Sequence, residues 1–292
     1  MAKWTAADIP DHSGRTAIVT GANSGIGLVT ARELARSGAR VIMACRDVTK
    51  GVEAAAALPG DVEVRELDLA DLTSIRTFAK SVTDDVHLLI NNAGVMATPQ
   101  RRTADGFELQ FGTNHLGHFA LTGLLLPRLL DRVVTVSSTM HRIGRIVLDD
   151  LNWERRRYNR WPAYGQSKLA NLLFTYELSR RLDEADSPLR ATAAHPGYAS
   201  TNLQSHTESF QDWFMAIGNR IVAQSATMGA LPTLYAAVAD VPNGSFAGPG
   251  GLFEQYGHPK VVGSSKASRD TSVARQLWER SASLTGVEYR FS

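Results

Sequence analysis

One segment, Thr20-Gly21-Ala22-Asn23-Ser24-Gly25-Ile26-Gly27, constrains this chain more than any other. It follows a short β-branched run, Thr16–Thr20, and opens a stretch, Ile26–Ser37, whose apolar residues Ile26, Val29, Leu34 and Ala35 recur at helical spacing. A strand that turns sharply into a helix uses glycine for three reasons. One glycine makes the turn, one lets a ligand approach the backbone, and one lets the helix pack against the sheet. The helix start also presents unpaired N–H groups and a dipole that favours an anion. Glycines alone would fit an ordinary strand–helix turn. With a strand before and a helix after, they predict a cradle for the pyrophosphate of a dinucleotide.

The strand-then-helix rhythm recurs downstream. Gly38 stops the first helix, and Arg40–Ala44 is a second apolar run backed by alanine-rich Thr49–Leu58. Val62–Leu67 reads as a strand and Leu72–Ser81 as a helix. Val86–Ile90 is an apolar strand ending in Asn91-Asn92-Ala93-Gly94, Phe107–Leu130 reads as one long helix, and Arg132–Val136 as the next strand. Ala163–Leu182 is helical and Leu189–Ala194 extended, with Gly251–Glu254 as the last strand and Ser272–Ser283 as the last helix. Such alternation predicts an α/β protein: one Rossmann-type, doubly wound domain over residues 1–292, with a mainly parallel seven-stranded sheet and helices on both faces. Ligands then belong at the carboxyl ends of the strands, where the polar motifs of this sequence fall.

Composition narrows the field. With 292 residues, 43% hydrophobic and 21% charged, the chain can bury a sizeable core and is not a disordered chain. A net charge of +2 is too small to point to nucleic acid or a membrane surface. The single cysteine, Cys45, excludes an internal disulfide and a thiolate metal cluster, and suits a cytoplasmic setting. Met1–Ser13 lacks the basic start and apolar run of a signal peptide. The longest apolar stretch, Leu116–Leu130, is too short to span a bilayer, so a soluble protein without a stable membrane anchor is expected. His115 and His118 share a helix without a visible third ligand, and no metal is expected. His195 reads as a structural residue at a strand end.

Tyr164 and Lys168 stand four residues apart, on one helix face. A free tyrosine titrates near pH 10, and a neighbouring lysine cation should lower that value, so that Tyr164 can exchange a proton with an alcohol or carbonyl. Five motifs in order then resemble the short-chain dehydrogenase/reductase family: the G-x-x-x-G-x-G turn; Asn91-Asn92-Ala93-Gly94; Asn114; Ser138 with Tyr164-x-x-x-Lys168; and Pro196-Gly197 with Thr201. The resemblance implies that Asn114, Ser138, Tyr164 and Lys168 are catalytic. Ser138, rather than Ser137, would hold the substrate oxygen, and Asn114 would anchor a water that links Lys168 to solvent. It implies dinucleotide contacts at Gly21, Asn23, Ser24, Gly25, Ile26, Gly27, Asp68, Leu69, Asn91, Ala93, Gly94, Tyr164, Lys168, Pro196, Gly197 and Thr201. Asp68 could instead cap the following helix.

An NAD site wants a carboxylate at the end of the second strand, where family members usually have one and this chain has Cys45. Arg46 follows, as in members that prefer NADPH, and a guanidinium can hold the 2′-phosphate by charge-assisted bonds worth roughly 1.5–3 kcal/mol each. The expected cofactor is therefore NADP, as NADPH, in preference to NAD, with Lys50 adding to the field. Otherwise Arg46 is a solvated loop arginine and Asp47 takes the ribose.

Residues 141–161 form an insertion relative to shorter members. That insertion, Ala44-Cys45-Arg46-Asp47 and Ser167-Lys168-Leu169-Ala170-Asn171 are similar to the retinol-dehydrogenase-like branch, with parts also similar to light-dependent protochlorophyllide reductases. The insertion reads as a solvated surface excursion. Residues 202–227 would form a substrate lid, with Tyr198, Trp213 and Phe214, and Tyr256 beyond them, making an apolar pocket. The expected activity is NADPH-dependent hydride transfer on an apolar carbonyl or alcohol. The alternative is a non-catalytic dinucleotide sensor on the same fold. Family members often pair through the two long helices, so a homo-oligomer is one expectation; the insertion makes a monomer another.

Overall fold

The computed structural model describes residues 3–197 and 226–291. Strands and helices alternate as the periodicity predicts: β1 Thr16–Thr20, α1 Gly25–Arg36, β2 Arg40–Cys45, α2 Val48–Ala55, β3 Val62–Glu66, α3 Leu72–Ser81 and β4 Val86–Asn91. After a single turn α4, Leu109–Phe111, come a π-helical turn at Gly112–Leu116 and α5, Gly117–Leu125. Then follow β5 Leu129–Val136, α6 Arg160–Glu184, β6 Arg190–Ala194, α7 Ala226–Val238, β7 Phe246–Pro249, β8 Pro259–Val261 and α8 Thr271–Thr285.

The strands form one sheet in the order β3-β2-β1-β4-β5-β6-β7-β8. All neighbours are parallel except β7 and β8. Side chains alternate between two apolar layers, which is why β1 is buried at every position. Ile18, Ile42, Leu89 and Val133 face the layer under α3, α5 and α6. Ala17, Val19, Val41, Met43 and Ile90 face the layer under α1 and α7. Strand order reverses between β1 and β4, which opens a crevice at their carboxyl ends.

Four expectations need correction. The sheet has eight strands rather than seven, and Gly251–Glu254 is not one of them. Leu252–Glu254 is a 3-10 turn, while the short Phe246–Pro249 pairs with β6 and carries the antiparallel β8. Glycine and proline disguise that strand in the sequence. Phe107–Leu130 is not one helix, because the π turn interrupts it and Pro127 ends it, so β5 starts at Leu129.

The insertion is a solvated excursion only in part: Arg155 and Arg157 are exposed, but its centre is packed. Trp153 is only 6% exposed and lies under the Arg156 guanidinium, 3.6 Å from the ring centroid. Asp150 accepts the N–H groups of Glu154, Arg155 and Arg156, and Arg156 also bonds Gln166 of α6. The basic residue that could have faced a ligand is turned inward.

At the other end, α8 and the residues after it cover α5 and α6. Trp278 packs against Phe119 at 5.1 Å and Tyr289 at 4.4 Å, and the Tyr289 hydroxyl donates to the Phe119 carbonyl at 2.7 Å. No helix among the described residues is long and apolar enough to cross a membrane.

Candidate active site

The glycine turn is built as its sequence demands. Gly21 and Gly25 adopt left-handed φ values of 63° and 55°, which favour glycine. A Cβ at Gly21 would sit 2.9 Å from that of Ala93, and one at Gly27 would collide with the Gly21 carbonyl and the Asn92 amide, 2.5 Å away. Ser24 caps α1 without a side-chain bond, so the first amides of the helix have no cap from it. The Gly21 N–H donates to the Ala44 carbonyl at 2.8 Å, next to the buried Cys45, which ties the turn to β2.

The turn is also tied to β4. The Thr20 hydroxyl accepts the N–H groups of Asn92 and Ala93, both at 2.9 Å, and the Asn92 amide donates to the Thr20 carbonyl at 2.8 Å. Sequence reasoning passed over Thr20 and Asn92. Thr20 stood at the head of the turn and Asn92 inside the Asn91–Gly94 motif, and neither had a role of its own. Asn91 is fully buried, and its amide donates to Thr122, so its side chain faces the core. Ile26 and Leu69 are likewise buried in the apolar layers. Asp68 does not cap α3. That cap is Asp71, while Asp68 accepts the Ala70 N–H and leaves its own N–H to Ser74.

At the carboxyl ends of β4, β5 and β6 the remaining residues converge. The Asn114 side chain, carried on the π turn, accepts the Val95 N–H and donates to the Val95 carbonyl and the Ser167 hydroxyl. Lys168 donates to the Val136 carbonyl at 3.1 Å, and its Nζ lies 5.7 Å from the Tyr164 ring centroid. A Cβ at Gly94 would stand 3.1 Å from Asn114 Oδ1 and 3.4 Å from Lys168 Nζ. Glycine there keeps the space before both groups open. Of the paired serines, Ser137 is buried and bonds the Lys168 carbonyl, whereas half-buried Ser138 accepts the Met140 N–H and stands near enough to the Tyr164 phenol to lower its titration. Pro196 and Gly197 follow β6, and the buried His195 accepts the Gly197 N–H, so this histidine braces the turn. Thr201, Tyr198, Trp213, Phe214 and residues 202–225 lie outside the described residues; 226 and 227 belong to α7.

The electrostatics differ from the simple expectation. Burial pushes the Tyr164 phenol up to about 12, with the nearby Ser138 hydroxyl only partly opposing it. Burial also pushes the Lys168 ammonium down to about 8. Desolvation therefore outweighs the attraction that a lysine cation was expected to exert on the phenol.

Arg46 is exposed at the end of β2. Asp47 caps α2 by accepting the Lys50 N–H and pairs with the Lys50 ammonium at 3.1 Å, so both are engaged with each other. Tyr158, which lacks a lysine four residues on, bonds Glu108, Gln110 and the Thr98 carbonyl within the insertion's base. His115 is taken by Ser281.

A doubly wound sheet with a dinucleotide turn, and a Ser-Tyr-Lys cluster beside it, defines a class that comparison identifies. The short chain dehydrogenase family profile matches residues 15–212, and the chain belongs to that family. Its members are oxidoreductases that bind a nicotinamide dinucleotide. Retinol dehydrogenase 13 of Homo sapiens is 45% identical over 94% of this chain and 86% of its own length. Retinol dehydrogenase 11 of Homo sapiens is 43% identical over 94% and 86%. Within the family, the chain is thus similar to the retinol-dehydrogenase-like branch. A crystal structure of an uncharacterised protein from Mycobacterium paratuberculosis aligns with TM-score 0.87 at 57% identity, over 99% of this chain and all of that one. A Beutenbergia cavernae protein described as an NAD(P)-dependent gluconate 5-dehydrogenase, with bound NADP at low occupancy, aligns with TM-score 0.62 at 26% identity, over 81% and 95%.

Proposed function

We propose that this protein is an NADPH-dependent reductase of apolar carbonyl compounds, with Asn114, Ser138, Tyr164 and Lys168 as its catalytic residues. The observation that carries the reading is the meeting of Asn114 and Lys168 in front of Gly94, with Tyr164 beside Lys168 and Ser138 beside Tyr164, in a fold whose first turn is shaped for pyrophosphate. The residues suit the cofactor, since Gly21, Gly25 and Gly27 leave a backbone cradle and Gly94 leaves room before Lys168.

The dinucleotide supplies the hydride. Ser138 holds the substrate oxygen and stabilises the charge that develops there. Tyr164 gives the proton: a phenol held near 12 keeps its proton across the neutral range, which suits reduction. Lys168 binds the nicotinamide ribose, and Asn114 fixes its surroundings through Val95 and Ser167. The turn residues Gly21, Asn23, Ser24, Gly25, Ile26 and Gly27 hold the pyrophosphate, with Asp68, Leu69, Asn91, Ala93, Gly94, Pro196, Gly197 and Thr201 around the rest. Asn91 and Leu69 contribute through their main chains.

Arg46 favours NADPH. It is free to meet a 2′-phosphate, while Asp47, the rival ribose acceptor, is engaged by Lys50. An apolar substrate is supported by the names of the relatives and by exposed Leu252, Phe253 and Tyr256 on the loop after β7. A broad aldehyde and ketone panel with NADPH and NADH tests the reading. Turnover with NADPH that Tyr164→Phe abolishes is expected. Normal NADPH binding with no turnover of any compound would favour the non-catalytic sensor.

A further inference from the structure

His118 lies on α5 at the centre of the molecule, 1% exposed, and none of the roles above uses it. Its Nδ1 is 2.9 Å from the main-chain carbonyl of Asn114, and its Nε2 is 3.0 Å from the Thr20 hydroxyl. A carbonyl can only accept, so Nδ1 carries the proton and Nε2 is the acceptor. The Thr20 hydroxyl has its oxygen occupied by the Asn92 and Ala93 N–H groups. Its hydrogen goes to the imidazole rather than to the more distant Ile90 carbonyl at 3.3 Å. Every partner is then satisfied by one neutral tautomer. Burial, helped by the charge of Lys168, keeps the ring neutral by holding its titration near about 4.

We propose that His118 is a positioning residue that locks the dinucleotide-binding turn to the π turn carrying Asn114. This rests on the reading of the site given above. One end of the link is the strand end that leads into Gly21 and receives the Asn92-Ala93 amides. The other is the backbone of Asn114, whose side chain braces Val95 and Ser167 next to Lys168. A shift of the turn is thus transmitted toward the proton-handling groups through this ring, in parallel with the Ala93–Val95 backbone. The link crosses from β1 to α5, elements that no local sequence motif joins.

A double-mutant cycle tests this. His118→Asn places an amide nitrogen where Nδ1 was, keeping the bond to Asn114 and giving up the bond to Thr20. Thr20→Val removes the hydroxyl, and Thr20→Ser restores it. NADPH affinity, followed by cofactor fluorescence, and kcat are measured for each folded variant. His118→Asn and Thr20→Val should each weaken NADPH binding and lower kcat, with Thr20→Ser close to the parent. The double variant should be no worse than the poorer single one, a coupling of about fivefold or more, as found within one hydrogen-bond network. Losses that simply multiply, or variants altered in melting temperature alone, would overturn the proposal. The affinity cycle needs no turnover, so an inactive parent would count against the proposed reaction and leave this link to be judged on binding.

Discussion

The two halves of the site are held by different kinds of structure. The dinucleotide turn is a backbone device: glycines at left-handed φ, a carbonyl and an amide pressed against Gly27, and main-chain N–H groups gathered by Thr20. The half proposed to handle the proton is a side-chain device, drawn from the π turn, the end of β5, α6 and the insertion. There Asn114, Ser137, Asp150, Arg156 and Gln166 each hold a neighbour by hydrogen bonds. A backbone device fails when anything is added to it. A side-chain device fails when its chemistry is removed.

The largest expected effect tests the side-chain half. Tyr164→Phe should lower kcat by roughly 10²–10⁴-fold, the usual worth of a general acid, with NADPH affinity unchanged. A loss of affinity of the same size would show that the halves are not separable in this way. Gly27→Ala tests the other half by a single methyl group. Overpacking against the Gly21 carbonyl should cost about 1–3 kcal/mol of stability, read by thermal melting, and weaken NADPH binding.

Arg46→Ala should raise the Michaelis constant for NADPH by roughly tenfold, as one charge-assisted contact would, and leave that for NADH alone. Equal changes for both cofactors would remove Arg46 from the recognition of the 2′-phosphate. The pH profile sharpens the role of Lys168. Burial disfavours the ammonium, so its protonated fraction falls as pH rises through about 8. Carbonyl reduction should therefore slow above about pH 8, and Lys168→Arg, which keeps its charge, should move that limb upward. The smallest effect belongs to the insertion. Tyr158→Phe takes a donor from the buried Glu108 region and should lower stability by about 1 kcal/mol, leaving kcat within twofold.

The same division explains what the sequence could reveal. β1, the glycine turn and α1 are contiguous, and each needs particular residue types locally, so both element and function were legible there. Tyr164 and Lys168 were legible because a helix fixes their relation. Their titration was not, since it depends on burial contributed by distant elements. The π turn escaped detection because its apolar residues continue the helical pattern on either side. Phe246–Pro249 escaped because a short strand buried between two neighbours can be built largely from alanine, glycine and proline. Trp153 lies in a segment that read as a surface excursion, and only its packing under the half-buried Arg156, which bonds α6, buries it.

The cover formed by α8 and Tyr289 bears on how the chain is made. Phe119 and Trp278 meet only after nearly the whole sequence has left the ribosome, and the Tyr289–Phe119 bond joins residues 170 apart. Until then the outer face of α5 and α6 has no lid of its own. The nascent chain thus carries an unsealed aromatic seam from the completion of α6 until Trp278 and Tyr289 arrive to close it.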